Sequence, residues 1–137
     1  MCSSDLPELL DGLSEKGLRL AVLSNKPHPF TLAFVEHFLP GWRFEAVLGQ
    51  RDGVPRKPDP AGALEIADRL GLSPGAFLFL GDTPTDMRTA AAAGMLPVGA
   101  CWGFRSAREL TENGARLLAA RPAELLGMLP RPGAHIV

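Results

Sequence analysis

Apolar residues in this chain fall into blocks of two periods, separated by short connections rich in Gly and Pro. Leu9, Leu10 and Leu13 share one face of a predicted helix from Pro7 to Lys16, which Gly17 closes. Leu18 to Leu23 predicts a strand ending in Ser24-Asn25. Phe30, Phe34 and Phe38, spaced by four, predict a helix whose aromatic stripe faces the core. Phe44 to Leu48 predicts a second strand, and a polar loop from Gln50 to Pro58 leads to Asp59-Pro60. That pair reads as an N-cap followed by proline at the first helical position. Ala63, Ile66, Ala67 and Leu70 line the helix it starts, and Gly71 stops it.

The second half repeats the alternation. A strand from Ala76 to Leu80 precedes an alanine-rich helix from Pro84 to Ala93, ended by Gly94. Leu96 to Cys101 is a further strand, Ser106 to Asn113 a helix, Ala115 to Ala119 a short strand and Pro122 to Met128 a last helix. Strands alternating with helices predict an α/β architecture, a Rossmann-like, mostly parallel sheet with flanking helices. The uninterrupted run Phe77-Leu78-Phe79-Leu80 fits a strand covered on both faces.

Bulk properties narrow the function classes. The 137 residues suffice for one ordinary domain with a real core. A net charge of −1 leaves no electrostatic footprint for nucleic acid or an acidic membrane surface. No apolar run approaches the roughly 18–20 residues that cross a bilayer. Cys2 and Cys101 have no metal-ligand or disulfide pattern, so the expected compartment is the reducing cytoplasm. Residues 1–6 are polar, lack periodicity and match one reading frame of a common sequencing-adapter end; they are expected to be a non-native leader. Residues 7–129 form the expected domain, and residues 130–137 an expected flexible tail.

Right-handed crossovers bring the carboxyl ends of parallel strands to one edge of the sheet, where ligands bind. Ser24-Asn25, the loop carrying Lys57, the pair Asp82 and Asp86, and the Trp102-Gly103-Phe104-Arg105 loop should all open there. Singly, each has a structural explanation. Ser24 and Asn25 are turn residues, Lys57 a solvated cation, and Thr83-x-x-Asp86 a capping box with Asp in place of Glu. Together they are the set that phosphoryl transfer needs. Hydroxyl and amide donate to phosphate oxygens, an ammonium offsets their charge, and carboxylates hold a hard cation such as Mg2+.

Leu23-Ser24-Asn25-Lys26, Arg56-Lys57-Pro58-Asp59-Pro60 and Gly81-Asp82-Thr83-Pro84-Thr85-Asp86 resemble motifs two, three and four of the haloacid dehalogenase-like hydrolases. Gly94 to Gly99 followed by Trp102 to Arg105 is similar to the phosphoglycolate phosphatase branch. The resemblance covers nearly everything from Pro7 to Leu129. It implies a phosphomonoesterase acting on a small phosphorylated metabolite through an aspartyl-phosphate, with Mg2+ as cofactor. Ser24 and Asn25 would bind the phosphoryl group, and Lys57 would stabilise it and the attacking carboxylate. Asp82 would ligate the cation, with Asp86 either a ligand or a neighbour of the ligands. Related alternatives are a pyrophosphatase or sugar-phosphate mutase of the same superfamily. From another class comes a non-catalytic module that senses phosphate or binds a partner.

The first motif, an apolar strand ending in Asp-x-Asp-Gly-Thr, is absent, and neither Asp5 nor Asp11 replaces it. The chain therefore holds no nucleophile, and the cap that usually selects substrate is absent too; a fragment of a longer enzyme is expected. In the family that first strand lies mid-sheet, between the strands ending at Leu23 and Leu80. Its absence predicts either a gap of roughly 9–10 Å or direct pairing of the flanking strands. Unpaired buried amides cost about 1–3 kcal/mol each, so poor folding and no turnover are expected.

Overall fold

The computed structural model describes residues 6–15, 17–101, 105–121, 124 and 134–136. Helix α1 (Leu6–Glu15) is followed by β1 (Arg19–Pro27), α2 (His28–Phe38), β2 (Ala46–Gln50) and α3 (Ala61–Leu70). Then come β3 (Phe77–Gly81), α4 (Pro84–Ala93), β4 (Leu96–Ala100), α5 (Ala107–Glu112), β5 (Leu117–Ala119) and β6 (Ala134–Ile136). The six strands form one sheet in the order β2-β1-β6-β3-β4-β5, and every recorded pairing is parallel.

Strand alternation divides the core into two layers. Ala21, Leu48, Phe77 and Phe79 pack with Ile66 and Leu70 of α3 and Ala90 and Ala93 of α4. On the opposite face Leu20, Leu78, Leu80 and Val98 pack with Leu10 and Leu13 of α1 and with Leu39 beyond α2. All five residues of β3 are buried, as a strand covered on both faces requires. The expected α/β sheet is thus present.

The middle of the sheet departs from expectation. Strands β1 and β3 neither pair directly nor leave a gap beside Arg19 to Ala21, because β6 lies between them. Ala134, His135 and Ile136 pair with Arg19, Leu20 and Ala21 on one side and with Phe77, Leu78 and Phe79 on the other. The tail segment expected to fray therefore contains a central strand at 134–136; the rest of that tail and the helix expected over Pro122–Met128 lie outside the described residues, apart from Glu124. Three residues satisfy backbone groups of both neighbours that would otherwise be buried unpaired. This removes the penalty from which poor folding was argued. Beyond the residues that β6 is recorded to pair with, β1 continues to Pro27 beside β2 and β3 to Gly81 beside β4.

The aromatic stripe of α2 also faces the other way. Phe30, Phe34 and Phe38 are 53%, 41% and 58% exposed, whereas Thr31 and Leu39 are buried and Val35 is half-buried. Both sets recur every four residues, so the face that meets the sheet is offset by one position from the aromatic one. Thr31 can take the inner position because its hydroxyl donates to the carbonyls of Lys26 and Pro27. Outside, the Phe34 and Phe38 rings meet at a 40° tilt with centroids 4.9 Å apart, and the Lys26 ammonium lies 5.1 Å from the Phe30 centroid.

Two consequences are measurable. Deleting residues 134–137, or His135→Pro, should cost at least about 3 kcal/mol, a large share of a typical net stability of about 5–15 kcal/mol. Urea melts monitored by circular dichroism check this, and an unchanged midpoint would refute a central role for β6. Separately, a hydrogen bond from Arg51 at 2.5 Å holds the Glu65 carboxyl below its ordinary value of 4.5, against burial and with help from Arg69. A lowered folded-state value means that the unfolded chain binds more protons in that range. The contribution is therefore full above 4.5 and lost as pH falls through the folded value. Glu65→Gln should flatten the acid side of the stability profile, read from melts between about pH 3 and pH 6.

Candidate functional site

The carboxyl ends of β1 and β3 face each other across a cleft of about 580 Å³. Its lining includes Asn25 at the end of β1, Lys57 from the loop after β2, Asp82 after β3, Asp86 and Arg88 of α4, and Arg105 after β4. Ser24 lines a smaller adjoining hollow that shares Asn25 and Lys57 with the cleft. Asn25, Lys57, Asp82 and Asp86 are thus brought together in one cavity, with Ser24 one residue away.

Lys57 is the centre of the arrangement. Its ammonium donates to Asp86 Oδ1 at 2.7 Å and to the Leu23 carbonyl at 3.3 Å. Side-chain exposures of 13% for Lys57 and 12% for Asp86 exclude the solvated-lysine explanation. Its backbone is fixed as well. Asn25 Oδ1 accepts the Lys57 N–H at 3.0 Å, and Asn25 Nδ2 donates to the Lys57 carbonyl at 3.3 Å. This reciprocal clamp ties a loop without regular structure to the end of β1. Ser24 Oγ accepts the Lys26 N–H at 3.1 Å, which leaves its hydroxyl hydrogen for another acceptor.

The turn between β3 and α4 sets the carboxylates. Thr83 is the N-cap of α4, its Oγ1 accepting the Asp86 N–H at 3.2 Å, and Pro84 follows at the first helical position. The capping box is only half formed. Asp86 turns its carboxylate inward, where Oδ2 accepts the Thr83 hydroxyl at 2.9 Å and Oδ1 accepts Lys57. Gly81 makes room for that turn, since a Cβ there would overlap the Cβ of Asp86 and stand 2.6 Å from its Cγ. At the far end Gly94 closes α4 in the left-handed conformation, φ 78°.

The sequence pointed to Ser24, Asn25, Lys57, Asp82 and Asp86 but not to Thr83 as a carboxylate partner, nor to Arg88 as cleft lining. Arg88 lies two residues past Asp86 on the exposed side of α4, and no sequence pattern marks it. Asp11, excluded as a nucleophile, accepts the Trp42 indole N–H at 2.9 Å instead. Cys101 is a free, half-buried thiol whose pKa burial and Glu124 push up, as expected of an unreactive cysteine. Among the described residues no group of three or more His, Cys, Asp and Glu side chains forms a metal cage.

The haloacid dehalogenase-like hydrolase family matches residues 3–94. The chain belongs to that family. A phosphoglycolate phosphatase of Pectobacterium atrosepticum is 30% identical over 128 residues, covering 93% of this chain and 55% of the relative. The Escherichia coli K12 phosphoglycolate phosphatase is 37% identical over 97 residues, covering 71% of this chain and 38% of that one. A solved structure from Lactobacillus delbrueckii, assigned provisionally as a phosphoglycolate phosphatase, superposes with a TM-score of 0.83 at 34% identity. It is covered to 52%, against 90% of this chain. The chain therefore spans about half the length of the relatives it matches.

The coupling between Lys57 and Asp86 is testable by a double-mutant cycle. Removing one partner strands a largely buried charge, at a cost of about 3–5 kcal/mol. Lys57→Met should be strongly destabilising, and adding Asp86→Asn should recover part of the loss. Additive effects in chemical denaturation would show that the two groups do not support each other.

Proposed function

We propose that this chain carries the phosphate- and cation-binding half of a magnesium-dependent phosphomonoesterase of phosphoglycolate phosphatase type. Its substrate is a small phosphorylated metabolite, and its compartment the cytoplasm. One observation carries the reading: a nearly buried lysine is held at both its backbone and its ammonium, beside Asp82, at the sheet edge where the phosphate belongs. The names of the relatives favour this type over a pyrophosphatase or a mutase. A phosphoglucomutase-like neighbour from Thermotoga maritima, at 24% identity, speaks for the fold alone.

Ser24 and the Asn25 region receive the phosphoryl oxygens, and Lys57 offsets their charge. The donors suit Mg2+, a hard cation that is commonly held by one or two carboxylates plus substrate phosphate. Asp82 would hold the cation directly; Asp86, with both oxygens already engaged by Lys57 and Thr83, positions Lys57 and would neighbour the ligands. The bound cation would spread the negative charge that builds on the transferring group. Hydrolysis through an aspartyl-phosphate requires a carboxylate nucleophile that residues 1–137 do not provide. The chain alone is therefore inactive and binds without turnover.

Titration calorimetry with inorganic phosphate tests this in the absence and presence of Mg2+. Phosphate should bind more tightly with the cation. Lys57→Ala should weaken phosphate binding about 10–100-fold, as expected for losing a charge-assisted hydrogen bond of about 1.5–3 kcal/mol, and leave Mg2+ binding largely intact. Asp82→Asn should remove the Mg2+ dependence. Phosphate affinity indifferent to both substitutions would refute the assignment.

A further inference from the structure

Strand β1 reaches the site by a detour. Between the pairs Leu23–Leu48 and Pro27–Gln50 it takes four steps while β2 takes two. Ser24, Asn25 and Lys26 therefore stand opposite the single residue Gly49, a bulge that interrupts the ladder. The surplus residues are the ones that line the site, Ser24 in the hollow and Asn25 in both hollow and cleft.

A strand lengthened in this way has to be fixed on the far side of its surplus, and the first turn of α2 does so. Nδ1 of His28 accepts the N–H of the buried Gly49 at 3.0 Å. One turn on, the Thr31 hydroxyl donates to the carbonyls of Lys26 and Pro27, each at 3.3 Å. Only glycine permits this approach. A Cβ on residue 49 would stand 2.5 Å from Thr31 Oγ1, 2.6 Å from His28 Cα and 2.7 Å from the Lys26 carbonyl oxygen. A ring nitrogen that accepts carries no hydrogen, so the neutral imidazole holds its proton on Nε2. Neither His28 nor Thr31 lines the cleft or the hollow.

We propose that His28 is a positioning residue for the phosphate subsite. By tying the start of α2 to β2, with Thr31 beside it, the imidazole sets where the surplus segment ends and where Ser24 and Asn25 present their polar groups. Lys57 follows, because Asn25 clamps its main chain. The proposal rests on the phosphate-binding role of Ser24, Asn25 and Lys57 and names what places them.

Titration calorimetry of the full chain with inorganic phosphate, and separately with Mg2+, tests it. His28→Leu fills similar space without an acceptor and should weaken phosphate binding about tenfold. Mg2+ binding should stay within about twofold, because Asp82 follows β3 in the other half of the sheet. His28→Asn, whose Oδ1 sits where Nδ1 does, should bring phosphate affinity back to within about threefold of the unsubstituted chain. Thr31→Val removes the hydroxyl at constant shape and should also weaken phosphate binding. Unchanged phosphate affinity in His28→Leu overturns the proposal; should that variant not fold, unchanged affinity in Thr31→Val does so. Equal loss in His28→Leu and His28→Asn overturns it too, as does a parallel loss of phosphate and Mg2+ binding, since a merely structural side chain would give either pattern. Lys57→Ala separates the two levels. If it weakens phosphate binding while the α2 variants do not, the phosphate reading stands and the positioning role falls. If it has no effect, the phosphate reading fails and the positioning role falls with it.

Discussion

Three residues near the end of the chain hold the two halves of the sheet in register. Without Ala134 to Ile136, β2 and β1 form one parallel pair and β3, β4 and β5 another unit, with no recorded pairing between them. Every contact across the cleft inherits its geometry from this join, because Asn25 and Lys57 come from one half and Asp82 and Asp86 from the other. A parallel strand with a neighbour on each side satisfies its own amides and theirs, and buried amides tolerate little else. Among the described residues β6 pairs as far as Ala21 and Phe79, while the candidate site residues begin three positions further on, at Ser24 and Asp82. The join thus supports the site from below and leaves the cleft between the strand ends open.

Above that level the tie is made by side chains. Asn25 grips the main chain of Lys57, and Lys57 grips Asp86, so β1, the loop after β2 and the first turn of α4 are linked in series. A single substitution in the series releases two elements at once. The same bonds hold an ammonium at a fixed place in the lining of the cleft.

What was legible in the sequence is what local chemistry decides. Helix α4 is bounded as read because Thr83-Pro84 and Gly94 are start and stop signals contained within the helix itself. The buried strand β3 was legible because covering both faces removes the alternation that a one-sided strand would show. Around α3 the reading was one position early: Pro60, not Asp59, is the N-cap and the helix starts at Ala61, while Asp59 Oδ1 accepts the Ala61 N–H at 2.9 Å just ahead of it. What was not legible is non-local. Ala134-His135-Ile136 has no period to detect, and its role comes from partners more than fifty residues away. The orientation of α2 was undecidable by spacing because residues 30, 34, 38 and residues 31, 35, 39 recur alike. Hydrophobicity favoured the aromatic set, yet three phenylalanine rings project outward and the smaller Thr31 turns in, where Gly49 of β2 approaches it. The clamp between Asn25 and Lys57 spans 32 positions and leaves no trace in composition.

On the proposed reading the two aspartates that follow β3 share a turn but not a role, and the reason is electrostatic. Two bare carboxylates facing a phosphate dianion would repel it, and each other, in a partly desolvated cleft where such terms are amplified. Pairing Asp86 with Lys57 offsets one negative charge and simultaneously fixes the position of the ammonium. Gly81 is the enabling residue, since a Cβ there would overlap Asp86, and displacing Asp86 would leave the Lys57 ammonium bonded only to the Leu23 carbonyl. Asp82 then remains the carboxylate whose charge Lys57 does not cancel directly, placed where the apolar strand ends and the cleft begins. The order Gly-Asp-x-x-x-Asp therefore divides the labour. The second carboxylate serves the lysine, and the glycine gives it the room to do so.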